Sequence, residues 1–352
     1  MDTLVKWIAL PLGYIMEVCY RFIGNYGITI IFFTILTKII LIPVSVWVQK
    51  NSIKMVKMQP ALNRIKAKYY GDNDTIADEQ SKLYKGNKYN PLASLIPLAI
   101  QIILLMGVVG VIYNPFDYLF HLPSDLIASI NQIASKLTGV PVVSSSIQLS
   151  AIEAIKNTAN NELFLALKDQ YPLLDVSGII NNIQNFKLSF LGMDLSWNPS
   201  LMMGITILVP VVAGFSSWLL CVAQNKSNVL QAEQSKFNKY SMLILSVGLS
   251  LYLGFFVPAG IALYWVASNL FAILQLYILN AIIPPKKYVD YKALEESRAE
   301  LAELDGLEQK HKLFSKDENY KREKTDYKRF FSIANKHLVI YSERSGFYKY
   351  YE

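Results

Sequence analysis

Apolar residues along this chain gather into long windows that are almost free of charge. Ile28–Val48 holds one charge, Lys38, while Leu92–Ile112 and Leu201–Val222 hold none, and Tyr240–Pro285 runs 46 residues without one. A bilayer core about 30 Å thick takes about 20 helical residues. The last window is therefore too long for one span and suits two. Val257-Pro258-Ala259-Gly260 supplies the break, because Pro removes a helix donor and Gly permits a turn. The pattern predicts an all-α polytopic membrane protein with five spans, at 28–48, 92–112, 201–222, 241–257 and 261–283.

Composition agrees. Of 352 residues, 53% are hydrophobic and 17% charged, and mean hydropathy is +0.28, whereas soluble domains carry about 25% charge. A disordered chain, a collagen-like fibre and a disulfide scaffold are excluded. The two cysteines, Cys19 and Cys221, are too far apart to form a framework.

The net charge is +7, and its distribution sets the orientation. Gln49–Asn90 carries nine Lys/Arg against four Asp/Glu, Ala223–Tyr240 three against one, and Lys286–Glu352 fifteen against thirteen; Asn114–Pro199 carries four against seven. Basic loops stay inside, and short loops weigh most. The expectation is a cytoplasmic 49–90, 223–240 and tail 286–352, with the N-terminus and 114–199 outside. Tyr26, Trp47, Tyr113 and Trp197 stand at span ends, where amphipathic rings favour the interface.

Residues 1–24 do not read as a secretory signal, because Pro11, Glu17 and Arg21 interrupt the apolar stretch. A helical wheel places Leu4, Trp7, Ile8, Leu12, Ile15, Cys19, Phe22 and Ile23 on one face, opposite Asp2, Lys6, Gly13, Glu17, Tyr20 and Arg21. That predicts an amphipathic helix lying on the outer leaflet.

Gln49–Asn90 reads as a helical hairpin. Met58, Leu62, Ile65 and Tyr69 recur at helical spacing, as do Ile76, Gln80, Leu83 and Tyr84, with Gly71-Asp72-Asn73-Asp74 as the turn. An EF-hand is excluded there, since the required Gly and closing Glu are misplaced. In 114–199, Leu126, Ile130, Ile133 and Leu137, then Ile152, Ile155, Leu163 and Leu167, predict short helices forming an outer cap. In the tail, 293–313 is charged and helical in pattern. Residues 321–329 are basic with interleaved aromatics, which suits RNA or anionic lipid, though a solvated charged tail fits equally. Residues 337–352 read as strand-like.

Lys38 is the residue the functional reading turns on. It is the eleventh of 21 residues in its window, so it sits near mid-membrane, where a Lys costs about 2.5–3.5 kcal/mol on insertion scales. Each interface lies about 15 Å away along the helix, too far for easy snorkelling. Thr34 and Ser45 share its face, and other spans offer Gln101, Ser216, Ser217, Ser246, Ser250, Ser268, Asn269 and Gln275, but no span holds an acid. A buried ion pair is thereby excluded. A hydrated, positively charged cavity remains, or a neutral buried Lys. Such a cavity could hold an acidic stretch of peptide below the membrane surface.

At this point the residues resemble the YidC/Oxa/Alb membrane-protein insertases of the bacterial plasma membrane. Resembling stretches are Gly24-Asn25-Tyr26-Gly27, Met58-Gln59-Pro60-Ala61-Leu62 with Ile65 and Tyr69, Tyr84, Asn90-Pro91-Leu92 and Pro97-Leu98-Ala99-Ile100-Gln101. They continue with Phe190-Leu191-Gly192-Met193-Asp194-Leu195, Pro258-Ala259-Gly260, Leu263-Tyr264-Trp265, Asn269, Gln275 and Asn280. The resemblance implies a five-span fold whose hydrophilic groove opens to cytoplasm and lipid and is closed outside. It implies a basic groove residue, here Lys38 where many relatives have arginine, and a groove near Lys38, Thr34, Gln101, Trp265 and Asn269. It also implies a mobile cytoplasmic hairpin needed for insertion, with Gln59, Pro60, Tyr69 and Tyr84 as its marked residues, and an N-terminal amphipathic helix outside. Nascent membrane proteins are the implied clients, the lipid bilayer the surroundings, and ribosome and Sec translocon further partners. Three features depart from the pattern: Leu220 stands where some relatives put a groove glutamine, 114–199 is longer than usual, and the tail beyond Pro285 is extended.

A small-solute channel or transporter is the rival reading, although neither polar rings nor acidic ion sites occur in the spans. An intramembrane enzyme is unsupported. His121, His311 and His337 lie outside every predicted span, and no metalloprotease or phosphate-binding motif is present. No cofactor, metal or catalytic residue is expected.

Overall fold

The computed structural model describes residues 2–94, 96–199, 207–230 and 236–316. Residues 201–206 at the start of the third predicted span, the basic stretch 321–329 and the strand-like end 337–352 lie outside the described residues. In chain order the helices are α1 (Asp2–Ile23), α2 (Tyr26–Ile40), α3 (Ile42–Lys68), α4 (Asn73–Gly86), α5 (Ile96–Tyr113), α6 (Pro115–Tyr118), α7 (Ser124–Thr138), α8 (Ile147–Lys156), α9 (Thr158–Leu165), α10 (Val176–Gln184), α11 (Leu208–Ser227), α12 (Lys236–Phe256), α13 (Ala259–Ile282) and α14 (Tyr291–Lys316). One two-residue hairpin, β1 (Ser189–Phe190) with β2 (Met193–Asp194), is the sheet among them. The described residues form two units, Met1–Val44 with Ile96–Ile278, and Ser45–Leu95 with Leu279–Glu352.

By length and composition two stretches can cross a membrane, Leu208–Ser227 and Ala259–Tyr288, or three if the bent pair α2 and α3 counts as one span. That bend of 53° departs from the single straight helix expected over 28–48. Its cause is local. Pro43 offers no N–H and disfavours the helical region at Ile42. The chain therefore turns at Leu41, whose N–H reaches back to the Thr37 carbonyl at 3.2 Å. Helix α3 then runs unbroken through Pro60 to Lys68, so it absorbs both the end of the expected span and the start of the expected hairpin. Ser45 consequently stands on α3, beyond the bend from Lys38.

In the first unit, α1 packs along α5 and α6. Its faces divide differently from the wheel expectation. Ala9, Leu12, Gly13, Met16, Glu17 and Cys19 are buried, while Trp7, Leu10, Tyr14, Val18 and Phe22 point outward. Glu17 is buried because it is partnered: His121 approaches its carboxylate at 2.8 Å, and Arg21 pairs with it one turn on. Burial alone would raise this carboxyl, but the hydrogen bonds from His121 and Arg21 outweigh it and hold it below the ordinary carboxylate range.

The 114–199 segment buries Phe116, Leu126, Ile130, Ile152, Ile155, Phe164, Leu167, Ile180 and Ile183 in one core continuous with Met16 of α1, Ile30 of α2 and Ile112 of α5. Leu137 and Leu163, expected inside, remain exposed. Gln148 ties α8 to α6 by accepting from the Phe116 N–H at 2.8 Å and donating to Asp117 at 2.6 Å. Helices α11 and α12 approach closely at Gly254. A Cβ on Gly254 would come within 2.7 Å of the Pro210 backbone, the small-residue contact that lets helices approach in lipid.

In the second unit, α3 carries the buried residues Ile53, Val56, Met58, Gln59, Pro60, Leu62, Asn63 and Ala67. Helix α4 has no fully buried residue. Its expected face, Ile76, Gln80, Leu83 and Tyr84, is half-buried. Asp72 caps α4 by accepting from the Thr75 N–H at 3.1 Å. The return strand of chain is stitched to α3, since Asn51 both donates to the Asn90 carbonyl (2.8 Å) and accepts from its N–H (3.1 Å), and Lys54 donates to the Lys88 carbonyl (2.7 Å).

Candidate functional site

The site is built downward from a hub at one end of the first unit. Asn25 caps α2 by accepting from the Ile28 N–H at 3.1 Å, and its Nδ2 donates to the Ser189 carbonyl at 3.0 Å. The Tyr26 N–H donates to the Lys187 carbonyl at 3.0 Å. On the far side of the β1–β2 hairpin, the Leu195 and Trp197 carbonyls accept from the Gly260 and Ala259 N–H groups, both at 2.9 Å. Those are orphan donors at the start of α13. Asn198 donates to the Phe256 carbonyl at the end of α12 at 3.0 Å. One short segment, 187–198, thus fixes the starts of α2 and α13 and the end of α12. Gly27 makes this possible: a Cβ there would lie 2.5 Å from the Phe190 Cβ.

Below the hub, Lys38 is half-buried at the border of the face of α2 that buries Ile30, Phe33, Thr34 and Thr37, with Phe32, Ile39 and Ile40 exposed on the other side. Ile30 lies beside Gly260, and Lys38 is eight residues on, about 12 Å farther down the helix. Thr34 and Thr37 are not free polar groups. Thr34 Oγ1 donates to the Ile30 carbonyl (2.7 Å) and Thr37 Oγ1 to the Thr34 carbonyl (2.9 Å).

A second polar cluster joins α11, α12 and α13. Asn269 Nδ2 donates to Ser216 Oγ (3.0 Å) and Ser217 Oγ (2.9 Å). Trp265 Nε1 reaches Ser250 Oγ (3.1 Å) and Ser217 Oγ (3.3 Å), and Ser217 and Ser250 bond each other. Beside it opens a small cleft lined by Leu105 and Val109 of α5, Ala213 of α11, Ser250 and Gly254 of α12, and Val257, Ile261, Ala262 and Trp265. The wall is apolar apart from Ser250 and the Trp265 indole. Gln101 is half-buried on α5, one turn before Leu105.

Of the expected groove residues, then, Trp265 and Asn269 share one network, Thr34 is buried and internally satisfied, and no hydrogen bond among the described residues links Lys38 or Gln101 to that network. The serines were visible as polar residues in spans. Their common target was not, because it depends on how three helices pack. The signal that could have found it is the i, i+4 spacing of Trp265 with Asn269, which puts both side chains on one face of α13. Among the described residues, no His, Cys, Asp and Glu group could hold a metal ion.

A family model described as the 60Kd inner membrane protein matches residues 18–287, three quarters of the chain. The chain belongs to the 60Kd inner membrane protein family. Relatives named membrane protein insertase YidC include that of Fusobacterium nucleatum subsp. nucleatum, 37% identical over 101 residues, covering 29% of this chain and 49% of the relative. That of Nitratidesulfovibrio vulgaris (strain DP4) is 30% identical over 135 residues, or 37% of this chain and 25% of the relative. That of Caldanaerobacter subterraneus subsp. tengcongensis is 24% identical over 274 residues, or 77% and 93%. The matched part spans about half or less of the first two relatives.

The family match takes in the hub, Lys38, the hairpin and the serine network, and ends before α14. Within the hairpin, Gln59 Nε2 donates to Asn63 Oδ1 at 3.0 Å, while Pro60 is buried inside α3. Tyr69 is half-buried under the Lys68 ammonium, 5.0 Å from the ring centroid. Tyr84 packs on Tyr89 with centroids 5.0 Å apart, so the four marked hairpin residues do not converge on one site. Asn269→Ala should have a small effect on stability. Polar contacts between membrane helices average about 0.6 kcal/mol and reach about 1.7, and Asn269 makes two. A loss of about 1 kcal/mol in denaturant unfolding of the detergent-solubilised protein is expected.

Proposed function

We propose that this chain inserts client segments into the bacterial inner membrane, receiving them from the cytoplasmic side beside Lys38. The carrying observation is an ammonium group in an apolar helix of a family whose relatives are named insertases, with no carboxylate in any predicted span. In this reading the five predicted spans cross the bilayer, the N-terminal helix and the 114–199 cap lie outside, and the hairpin and tail lie in the cytoplasm. The charge asymmetry of the loops supports that orientation. The shorter apolar helices Ala99–Tyr113 and Leu243–Phe256 supply the spans that length alone does not.

The mechanism needs no covalent chemistry. An acidic residue costs about 2.5–3.5 kcal/mol at mid-membrane on insertion scales. A cation about 4 Å away returns about 4 kcal/mol at an effective dielectric of 20. One Lys therefore offsets one client carboxylate, enough to hold an acidic stretch transiently and too little to trap it. The hub seals the outer end, so an arriving segment leaves sideways, its apolar part entering lipid along the cleft beside Trp265. In this reading Lys38, Gln101 and Trp265 face that path, with Thr34 and Asn269 buried behind them, and the hairpin residues Gln59, Pro60, Tyr69 and Tyr84 belong to the entry side. Membrane-protein clients and lipid are the implied partners, with ribosome and Sec translocon as further ones.

The test is reconstitution. Full chain in vesicles should insert a single-span client with an acidic outer tail, measured by protease protection, and the same vesicles should conduct no ions. Conductance without insertion would favour a channel.

A further inference from the structure

Helix α14 lies beyond the family match, yet it is docked on the hairpin's first helix. Asn63 of α3 donates to Ser297 Oγ at 3.3 Å, Tyr70 donates to Asp305 at 2.6 Å, and Arg64 pairs with Glu296 at 3.8 Å. Nearer the start of both, the Lys57 ammonium lies 4.7 Å from the Tyr288 ring centroid, and Gln49 donates to Asn280 Oδ1 (2.8 Å) and the Ile283 carbonyl (3.1 Å). Contacts climb together along both sequences, so the helices run parallel. Their charges are opposite: Gln49–Lys68 holds six Lys/Arg and no acid, while Asp290–Asp305 holds six acids against Lys292 and Arg298.

The seam is polar where a permanent helix pair would be apolar. Asn63 and Gln59 of α3 and Ser297 of α14 are all buried and bonded in a row, and on α14 only Leu294 and Leu304 join Ser297 as fully buried side chains among its described ones. Buried polar contacts of this kind set register more than they add strength. The Arg64–Glu296 pair is more than half exposed and adds little. With two leucines and a serine as the fully buried side chains among its described ones, such a helix can leave.

We propose that α14 is a detachable clasp: docked, it holds Asn63, the residue that follows the Met58-Gln59-Pro60-Ala61-Leu62 hairpin segment, and neutralises the basic helix, and it must lift off for the hairpin to work. The gating half of this statement rests on the insertase reading above, whereas the detachment half does not.

The test uses the full chain with Cys19 and Cys221 replaced by alanine. In the Asn63→Cys, Ser297→Cys variant, oxidation locks α14 to α3. Insertion of the single-span client is expected to fall about fivefold or more when locked and to recover on reduction. A locked chain that inserts as fast as, or faster than, its reduced form overturns the gate. Separately, Asn63→Cys alone should react slowly with a hydrophilic maleimide from the cytoplasmic side, and about tenfold faster when Leu294→Glu is added. Equal rates overturn the clasp. If wild-type, reduced and locked chains all fail to insert the client, the insertase reading fails, and the maleimide rates still decide whether α14 detaches.

Discussion

Lys38→Ala is expected to lower insertion of a client with an acidic outer tail by about tenfold or more, while Lys38→Arg keeps most of it. Tenfold corresponds to about 1.4 kcal/mol. That is well below the few kcal/mol one ammonium can return to a carboxylate at this depth, so the estimate allows for much of the attraction being screened by water. Arginine preserves the charge and adds a fork of donors. Its longer reach should cost a little positioning but not the effect. A client whose translocated tail is neutral should be nearly indifferent to Lys38→Ala, since nothing in it needs the cation. The comparison of the two clients separates loss of a charge from loss of the fold. Protease-protected client per vesicle is the readout. Equal losses on acidic and neutral clients would mean that Lys38 holds the structure together rather than handling the client.

The second large effect is structural. Gly27→Val should destabilise the protein by about 1–3 kcal/mol, the usual cost of overpacking, and more if the β1–β2 hairpin detaches. The new Cβ would sit 2.5 Å from the Phe190 Cβ, well inside contact distance. Phe190 cannot easily yield. Its strand is held by Asn25 at Ser189, and the Leu195 N–H donates to the Leu188 carbonyl across the hairpin. Because the same segment caps α13 through Leu195 and Trp197, strain at Gly27 spreads to the Gly260 end of that helix. Phe190→Ala in the same chain should restore only part of the loss, since it removes the ring atoms Cγ and Cδ2 that the new Cβ meets at 2.6 and 2.7 Å but keeps the Phe190 Cβ. The check is thermal unfolding of the two single variants and the double in detergent. Additive effects would show that Gly27 and Phe190 are not coupled.

Much of the fold could be read before the structure, where burial of charge made errors costly. Among the described residues the windows without charge are helical over Ile96–Tyr113, Leu208–Ser227, Lys236–Phe256 and Ala259–Ile282, and Val257-Pro258 separates α12 from α13 because a prolyl nitrogen cannot donate. What escaped was whatever depends on partners distant in sequence. Glu17 looked like a surface residue on a wheel, but His121, 104 positions away, gives it a reason to be buried. The bend at Leu41 was visible in principle in Pro43, yet the apolar run across it suggested one straight span. The docking of α14 was hidden by near-balanced tail charge: its acids cluster in the first half, and the basic residues that offset them in the count lie farther on. In the site, Lys38 stood out from composition alone, because a lone cation among apolar residues is expensive. The bonding of Trp265 and Asn269 to Ser216, Ser217 and Ser250 could be established only by the packing of three helices.

The most direct measurement is water access at position 38. A Lys38→Cys variant of a chain lacking Cys19 and Cys221, in sealed membranes of known orientation, should react with a small hydrophilic maleimide added on the cytoplasmic side and remain unreacted when the reagent is outside. Client bound beside it should slow the reaction. A thiol that stays unreactive from both sides, while a lipid-soluble maleimide labels it readily, would place position 38 in dry surroundings and contradict a hydrated groove open to the cell interior.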